Sequence, residues 1–506
     1  MDISCIIDDI QPASFRLSEQ DALMSLFNHP LVHFYQNTDR KDDFMPTKRL
    51  QQALVLALKE FSILLGHVQK ADAGLDRVAV DRNHINNPEF TESFSSIHYS
   101  DLLSAQFNWS VWPDGVASAG ATVAPSSDGS IKLLSVHLTR LADNSGVILF
   151  CNIPHYIVDG FGYYEFLSRW ACVCRELSFT NDKSNNIRAK NVSEQSLFLF
   201  DRETALKSLQ SQYQLKPLGP LVNTIFKKDS VASRLFASLR YTSRLRITSI
   251  GMRLRYGLAS WFWIPAEKVD LLLKLVIDDP TCHLSKHEIS NYALVTALID
   301  TAFVRAQRQM ASECSLIAKV ASFVGGILAK LLASQVANEH ILINMVHTRH
   351  HLEPLDGYYF GNPIFLHPIS MQTKHVAEEN AKSSFIRLAL TISQELRSID
   401  GPAARGFVDM VCANPSAHAR FTAFASTASS ALTVVDERSY KMDSVDFGNG
   451  GPAWISGIQL HMPNMVALFQ QPAPMHNGIA VFASLEPGIA RLIASDPFFS
   501  LFAKLL

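Results

Sequence analysis

Hydrophobic positions along the first part of the chain change from a helical spacing to a strand spacing. Between Pro46 and Gly66 apolar residues recur every three to four positions, with proline in the first turn and glycine after the end, which predicts a helix. Short apolar runs bounded by turn residues then predict strands at Val78–Val80, Lys132–Thr139 and Val147–Ile153. The polar residues Asp143–Gly146 predict a turn between the last two strands.

The rest of the chain continues to alternate between the two spacings. Helices are predicted at Gly162–Leu177, Ala266–Ile277, Ser290–Gln309 and Ser383–Ile399. Strands are predicted at Ser260–Ile264, Ile341–Val346, Asp446, Ile455–His461 and Ile479–Ala483. This alternation indicates an α/β protein built from sheets and covering helices.

Two segments do not follow this alternation. Residues 181–257 are polar and then basic, with eight Lys and Arg against one Asp between Phe226 and Arg255, and we interpret them as a crossover between domains. The basic run fits a solvated linker helix or contact with an anionic membrane or a phosphate-bearing cofactor. Leu316–Val336 has one apolar side and a narrow polar stripe, which fits packing on its own domain, a lid or a membrane-surface contact.

Composition limits the class of protein. A chain of 506 residues is too long for one compact core, so we expect two domains or lobes. A formal net charge of −2 gives no global basic field for nucleic acid. We expect no secretory signal and no transmembrane helix, and the seven sparse cysteines fit free thiols in the cytosol.

The most informative stretch lies between the predicted strand Val147–Ile153 and the helix that follows it. His155 comes two positions after the end of the strand, and Asp159 and Gly160 follow His155 four and five positions later. An imidazole is a suitable general base near neutral pH, the carboxylate can orient it or lock the turn through a cation, and the glycine permits a tight turn. Alone, this spacing is a weak signal and favours a merely structural histidine.

Further motifs occur in a fixed order along the chain. They are the opening Leu17–Asp21, Leu65-Gly66, the Asp159-Gly160-Phe161 turn, a strand ending in Arg349, the run Tyr359–Asn362, and Asp446-Phe447-Gly448-Asn449-Gly450. Together with His155 they resemble the BAHD acyltransferases, CoA-dependent enzymes with a His-x-x-x-Asp motif and a distal Asp-Phe-Gly-Trp-Gly motif. The resemblance spans most of the chain and is to fungal-type metabolic O-acyltransferases.

The resemblance implies two chloramphenicol-acetyltransferase-like lobes of mixed sheet and helices, with a channel between them. We expect an N-terminal lobe over residues 1–215, the basic crossover over 216–257 and a C-terminal lobe over 258–506. His155 would be the general base midway along the channel, acyl-CoA the cosubstrate, and a small, lipophilic alcohol or amine the acceptor. The resemblance also implies a monomer, with no permanently bound cofactor and no metal.

The remaining site residues take their expected roles from the same resemblance. Asp159, followed by Gly160, would form a salt bridge with Arg349 and hold the loop, and Asp446 and Gly448 would be structural. Asn449 stands where plant members have tryptophan, and it is a candidate oxyanion or CoA contact. His29 and His33 are candidates for the acceptor pocket or ordinary loop histidines.

Three alternatives remain open from the residues themselves. A condensation-domain-like enzyme would take its acyl group from a carrier protein, but such enzymes carry a second histidine where this chain has Pro154. A non-catalytic relative would bind a ligand in the channel without turnover. The histidines at 347, 350 and 351 could suggest a metal site, but they lack the accompanying cysteine or carboxylate pattern.

Overall fold

The structure is a computed structural model, and it describes residues 1–24, 28–70, 76–116, 123, 130–179, 200, 260–321, 339–351, 359–373, 380–412, 431–457, 464–473 and 475–506. Three features from the sequence lie outside these ranges. They are the crossover over 216–257, the basic run over 226–255 and residues 322–336 of the amphipathic segment. Their proposed roles stay predictions.

The described strands and helices alternate along the chain. The strands are β1 (Ala13–Arg16), β2 (Asn28–Gln36), β3 (His67–Gln69), β4 (Arg77–Val80), β5 (Glu89–Phe94), β6 (Ser135–Arg140), β7 (Gly146–Pro154), β8 (Ser260–Pro265), β9 (Glu339–His347), β10 (Ile364–Gln372), β11 (Ala431–Asp436), β12 (Trp454–Gly457), β13 (Met465–Phe469), β14 (Gly478–Ser484) and β15 (Lys504–Leu505). The helices are α1 (Glu19–Leu23), α2 (Thr47–Ala57), α3 (Tyr99–Ser104), α4 (Gly160–Phe179), α5 (Ala266–Ile277), α6 (Asn291–Ala321), α7 (Ala381–Arg397), α8 (Gly401–Cys412) and α9 (Pro487–Ser495).

Most of the described N-terminal strands form one sheet, in the order β12-β2-β7-β6-β5. All its pairs are antiparallel except β5 and β6. Every residue of β7 is buried, which explains its continuous apolar sequence, because such a run is typical of a strand covered on both faces. The predicted turn before β7 is confirmed: Asp143 and Asn144 have φ values of 52° and 51°, as tight hairpin turns favour. A small separate sheet has the order β1-β4-β3.

The C-terminal strands form a mixed sheet in the order β10-β9-β11-β13-β14-β8-β15. Its β11 runs parallel to both β9 and β13, while the other pairs are antiparallel. Alternate residues of β13 enter two different cores. Val466 and Leu468 pack in the core beneath α5, α6, α7 and α9, whereas Met465, Ala467 and Phe469 join the core of the N-terminal sheet. One sheet thus packs against helices on one face and against the other lobe on the opposite face.

β12 connects the C-terminal half of the chain to the N-terminal sheet. It follows the C-terminal strand β11 in sequence, yet it pairs with β2 of the N-terminal sheet. On the other side of β12, the Gln471 side chain bonds both backbone groups of Ile455, accepting from N–H at 3.0 Å and donating to C=O at 2.7 Å. The Trp454 ring also stacks on Phe107 at 5.1 Å and contacts Trp261 of β8 at 5.2 Å, between ring centroids.

The α/β prediction is confirmed, and so are most of the predicted elements, with differences at their ends. The helix predicted to end just before Gly66 ends at Ala57, and the chain then makes turns and a 3-10 helix over Ser62–Leu65. The strand predicted at Asp446 is wrong. The Asp446 carboxylate accepts hydrogen bonds from the backbone N–H groups of Gly448, Asn449 and Gly450, which fold this segment into a turn.

Candidate functional site

His155 lies in the short loop between β7 and α4, directly after the last strand residue. The loop is a tight turn, because Ile157 N–H donates to Pro154 O at 2.9 Å and Val158 N–H donates to His155 O at 3.2 Å. The residue is partly exposed, whereas both neighbours are buried. The chain therefore becomes partly exposed at His155, directly after a fully buried strand.

The immediate surroundings keep the His155 ring neutral. Burial lowers the pKa of His155 below its ordinary value, because the charged imidazolium loses hydration there. The His29 ring stacks on it, with centroids 4.7 Å apart and planes inclined by 14°. Burial, and then the neighbouring His155, lower the pKa of His29 to about 3. Two neutral imidazoles therefore lie face to face near neutral pH.

Asn362 connects the His155 ring to α1. Its Oδ1 lies 3.0 Å from His155 Nδ1, and its Nδ2 donates to His155 O and to Asp21 Oδ1, each at 2.8 Å. The backbone N–H of Asn362 also donates to Asp21 Oδ1, at 3.0 Å. The other Asp21 oxygen accepts from Ser18 N–H at 2.9 Å, while Asp21 N–H donates to Ser18 Oγ, which caps α1.

Asp159 and Arg349 lie behind the His155 loop and bind each other through two bonds. Arg349 Nη1 and Nη2 donate to the two carboxylate oxygens at 3.0 Å each, and both side chains are nearly fully buried. Although burial alone would raise it, Arg349 and His347 hold the pKa of Asp159 below its ordinary value. Arg349 also donates to Tyr359 O, so this pair fixes the backbone just before Asn362.

Gly160 marks the point where the loop enters α4, and there is no space for a side chain. A Cβ added there would lie 2.6 Å from Glu437 Oε2 and 2.8 Å from Tyr440 Cδ2. Burial, together with Asp159 and Asp436, raises the pKa of Glu437 to about 8. A carboxyl that stays protonated at neutral pH therefore packs against the loop that carries His155.

The distal motif anchors the C-terminal half of the chain to α2 and α4. Gly448 and Gly450 have φ values of 99° and 95°, a conformation that favours glycine, and Phe447 packs on Trp170 with ring centroids 4.9 Å apart. Asn449 Oδ1 accepts from Met45 N–H at 3.1 Å and from Arg49 Nη2 at 3.2 Å. The oxygen of this amide is thus engaged with the start of α2.

The other predicted site residues differ in whether they contact His155. His29 is in contact with His155, but His33 is completely buried and its ring nitrogens have no hydrogen-bond partner among the described residues. Within the described ranges, no three His, Cys, Asp or Glu side chains are grouped to hold a metal ion. None of the helices in those ranges is long and apolar enough to span a membrane.

Sequence reasoning did not identify the polar contacts of Asn362 and Asp21 or the position of Glu437. The motifs containing Asn362 and Asp21 were recognised, yet the two residues lie 341 positions apart and nothing local joins them. Glu437 follows β11 without any distinguishing pattern around it.

Comparison with known proteins gives matches at the level of family, sequence and fold. The model of the Transferase family matches residues 8–232 and 286–498. "BAHD acyltransferase DCR" from Arabidopsis thaliana is 28% identical over 182 residues, which are 33% of this chain and 37% of that protein. The matched segment thus spans little more than a third of that relative.

Two solved structures show the same fold at low sequence identity. F. sporotrichioides TRI101, complexed with coenzyme A and T-2, is 15% identical and superposes with a TM-score of 0.68, covering 97% of this chain and 99% of that one. Vinorine synthase is 14% identical with a TM-score of 0.57, covering 94% of this chain and 91% of that one. The fold with two lobes is therefore common to all three.

Proposed function

The chain belongs to the Transferase family, the family of the BAHD acyltransferases, and we therefore propose that it transfers an acyl group from acyl-CoA to a small molecule. His155 is the general base of this reaction. The observation that carries the proposal is the position of His155: the residue is partly exposed, burial keeps its ring neutral near neutral pH, and Asn362 holds that ring at the end of β7. A general base must be unprotonated and reachable, and the lowered pKa of the ring and the partial exposure of the residue support this role.

The proposed reaction needs one base and no covalent enzyme intermediate. His155 takes the proton of the acceptor hydroxyl as its oxygen attacks the thioester carbonyl carbon, which gives a tetrahedral oxyanion. Collapse of this intermediate breaks the carbon–sulfur bond. The departing CoA thiolate then receives the proton from the imidazolium, so that the products are an ester, free CoA and neutral His155.

Asp159 and Arg349 support this chemistry from behind the loop. Both are buried and bound to each other, so neither carries a free charge toward a substrate. Their role in the proposal is to hold the His155 loop and the backbone at Tyr359 in one arrangement. Asp446 and Gly448 similarly stabilise the turn that anchors the distal motif.

We propose an acetyl donor and a lipophilic acceptor with a hydroxyl group, or alternatively an amine. The apolar side of Leu316–Val336 and the 47% hydrophobic composition support a lipophilic acceptor. TRI101, which shares the fold, is complexed with coenzyme A and T-2, so T-2 is a suitable first probe.

The setting of the reaction is also a proposal. Cys5, Cys151, Cys172, Cys174 and Cys282 are free thiols, as expected in a reducing cytosol. We place the enzyme in the secondary metabolism of a fungus, acting as a monomer without a permanently bound cofactor. We also propose that the basic residues between 226 and 255 make a peripheral contact with anionic lipid.

The experiment is an assay of the purified chain with acetyl-CoA and longer acyl-CoAs against a panel of acceptors. The panel contains T-2, alcohols and amines of graded hydrophobicity, and sugars. Release of CoA thiol and the mass of the acylated product are followed together, with acceptor-free reactions as the measure of hydrolysis.

The expected result is an acylated product from free acyl-CoA and an apolar alcohol. A product that forms only from a phosphopantetheinyl carrier protein would contradict the CoA donor and favour the condensation-like alternative. Acylation of sugars or charged amines alone would contradict the lipophilic acceptor.

A further inference from the structure

All the polar groups of the Asn362 side chain are used in one small network. Its Nδ2 has two acceptors, Asp21 Oδ1 and the carbonyl oxygen of His155, each at 2.8 Å. Its Oδ1 has one neighbour, His155 Nδ1, at 3.0 Å. Asn362 and Asp21 are both completely buried, so water does not compete for these bonds.

The acceptors determine which way the amide points. A backbone carbonyl only accepts, and both oxygens of the Asp21 carboxylate already accept from backbone N–H groups. If the amide were turned over, its oxygen would face two acceptor oxygens, and of the two N–H groups of Nδ2 at most one would find an acceptor, His155 Nδ1. Unpaired buried groups of this kind are costly, so the amino group faces Asp21 and the amide oxygen faces the ring.

The orientation of the amide in turn determines the tautomer of His155. An amide oxygen can only accept a hydrogen bond, so Nδ1 of the neighbouring ring must donate and must carry the proton. The lone pair of the neutral ring is then on Nε2. We propose that Asn362 and Asp21 are positioning residues that hold His155 in the Nδ1–H tautomer, with Nε2 as the atom that accepts the proton of the acceptor.

The same network favours the ring after it has taken the proton. The imidazolium keeps its Nδ1–H bond to Asn362 Oδ1, and the Asp21 carboxylate lies one amide away. A negative charge at this position raises the pKa of His155 and partly offsets the lowering caused by burial. Asp21 therefore strengthens His155 as a base without touching the ring or the substrate.

The role of Asn362 and Asp21 in acyl transfer rests on the proposed function, whereas the tautomer of His155 does not depend on it. The tautomer and the role in catalysis are therefore tested separately. The chain is labelled with ¹⁵N-histidine, and the two ring nitrogens of His155 are observed by NMR in the protein without substrate. A His155→Gln variant identifies which signals belong to this residue. We expect the proton on Nδ1, and a wild-type spectrum with the proton on Nε2 would overturn the proposal, whatever the activity.

Asn362→Leu tests whether the amide is the cause. We expect the proton to be no longer confined to Nδ1 and kcat to fall about 10- to 100-fold with KM changed less. The control is Asn37→Leu, because Asn37 is also a buried amide with three bonds, to Lys41 and Asn144 at the opposite end of β2. If the Nδ1–H tautomer persists in Asn362→Leu, the acceptor that holds this proton is the main-chain carbonyl of His155. That result would overturn the role of Asn362.

Asp21→Asn tests the role of the negative charge on Asp21. It also provides a test of the network if the Asn362→Leu protein does not fold. The substitution keeps the shape of the side chain, so we expect the Nδ1–H tautomer to remain while the titration midpoint of His155 moves to lower pH. The acid limb of the kcat profile should move with it. An unchanged midpoint in the folded Asp21→Asn protein would overturn the part of the proposal that concerns Asp21.

Discussion

Asp159 and Arg349 are 190 positions apart in the chain, and their side chains meet through two parallel hydrogen bonds of 3.0 Å each. The pair joins the loop after β7 to the segment after β9, which belong to different sheets. Arg349 also lies over the Phe161 ring, 4.4 Å from its centroid. The position of the His155 loop therefore depends on a buried ion pair between segments from two different sheets.

We predict that Asp159→Asn destabilises the protein by about 3–5 kcal/mol, because it leaves the Arg349 charge buried without its partner. The free energy of unfolding in denaturant measures this change. The control is Asp39→Asn, which removes an ion pair with Lys41 whose side chains are 53% and 69% exposed, and little change is expected there. Equal, small effects of both substitutions would show that the buried pair does not hold the loop.

Gly160→Ala should destabilise the protein by about 1–3 kcal/mol and lower acyl transfer, because the added methyl group overlaps Glu437 and Tyr440. Thermal unfolding and the acyl-transfer rate measure the two effects. Gly488→Ala is the matched control, since its nearest contact is the sulfur of the flexible Met310 side chain at 3.2 Å. A Gly160→Ala protein with wild-type stability and rate would refute the close packing at this loop.

Glu437 should make stability fall as pH rises. Its pKa is raised in the folded protein to about 8 from an ordinary value of 4.5, so between these values the folded state holds a proton that the unfolded state has lost. Stability from this group is therefore present below about pH 4.5 and lost as pH rises through about 8.

Glu437→Gln removes this dependence. We expect it to gain at least about 1 kcal/mol relative to the wild type when the pH is raised from 5 to 9, since each unit of pKa difference corresponds to about 1.4 kcal/mol. Urea unfolding at both pH values measures the gain, with the exposed Glu267→Gln as control. If wild type and Glu437→Gln lose stability in parallel, Glu437 is ionised in the folded protein and this account of it is wrong.

Asn449→Ala distinguishes a structural role from a chemical one. Because Asn449 Oδ1 accepts from Met45 and Arg49, we expect a loss of about 1 kcal/mol in stability and a kcat within a few-fold of wild type. An oxyanion contact predicts instead a drop of about 10²–10³ in kcat. Steady-state kinetics on the folded variant separates the two outcomes.

Local sequence patterns predicted the parts of the site that are local. The strand β7, the residue His155 and the helix α4 follow one another within 34 residues, so an apolar run, a polar ring and a helical spacing were enough. β2 was not predicted, and it contains Pro30, a residue type that is rare in the middle of a sheet. In the structure Pro30 pairs with Asn152 of β7, while the described pairing of β12 with β2 extends only to Leu31.

The contacts between distant residues were not predictable from spacing alone. A capping pattern identifies Ser18 and Asp21 at the start of α1, but it does not show that Asp21 also binds Asn362. The same holds for Glu437, whose raised pKa results from burial against Gly160 and from two other carboxylates. Such effects depend on tertiary packing, which brings together segments with no common local signal.

The rate of product formation by His155→Ala decides whether His155 is the base for acyl transfer. With acetyl-CoA and the best acceptor of the panel, we predict a loss of at least about a hundredfold in kcat, while His283→Ala, at an exposed histidine, keeps the wild-type rate. In the wild type the rate should fall on the acid side below pH 6.5, as His155 becomes protonated. A His155→Ala protein that forms the acylated product at the wild-type rate would contradict the account.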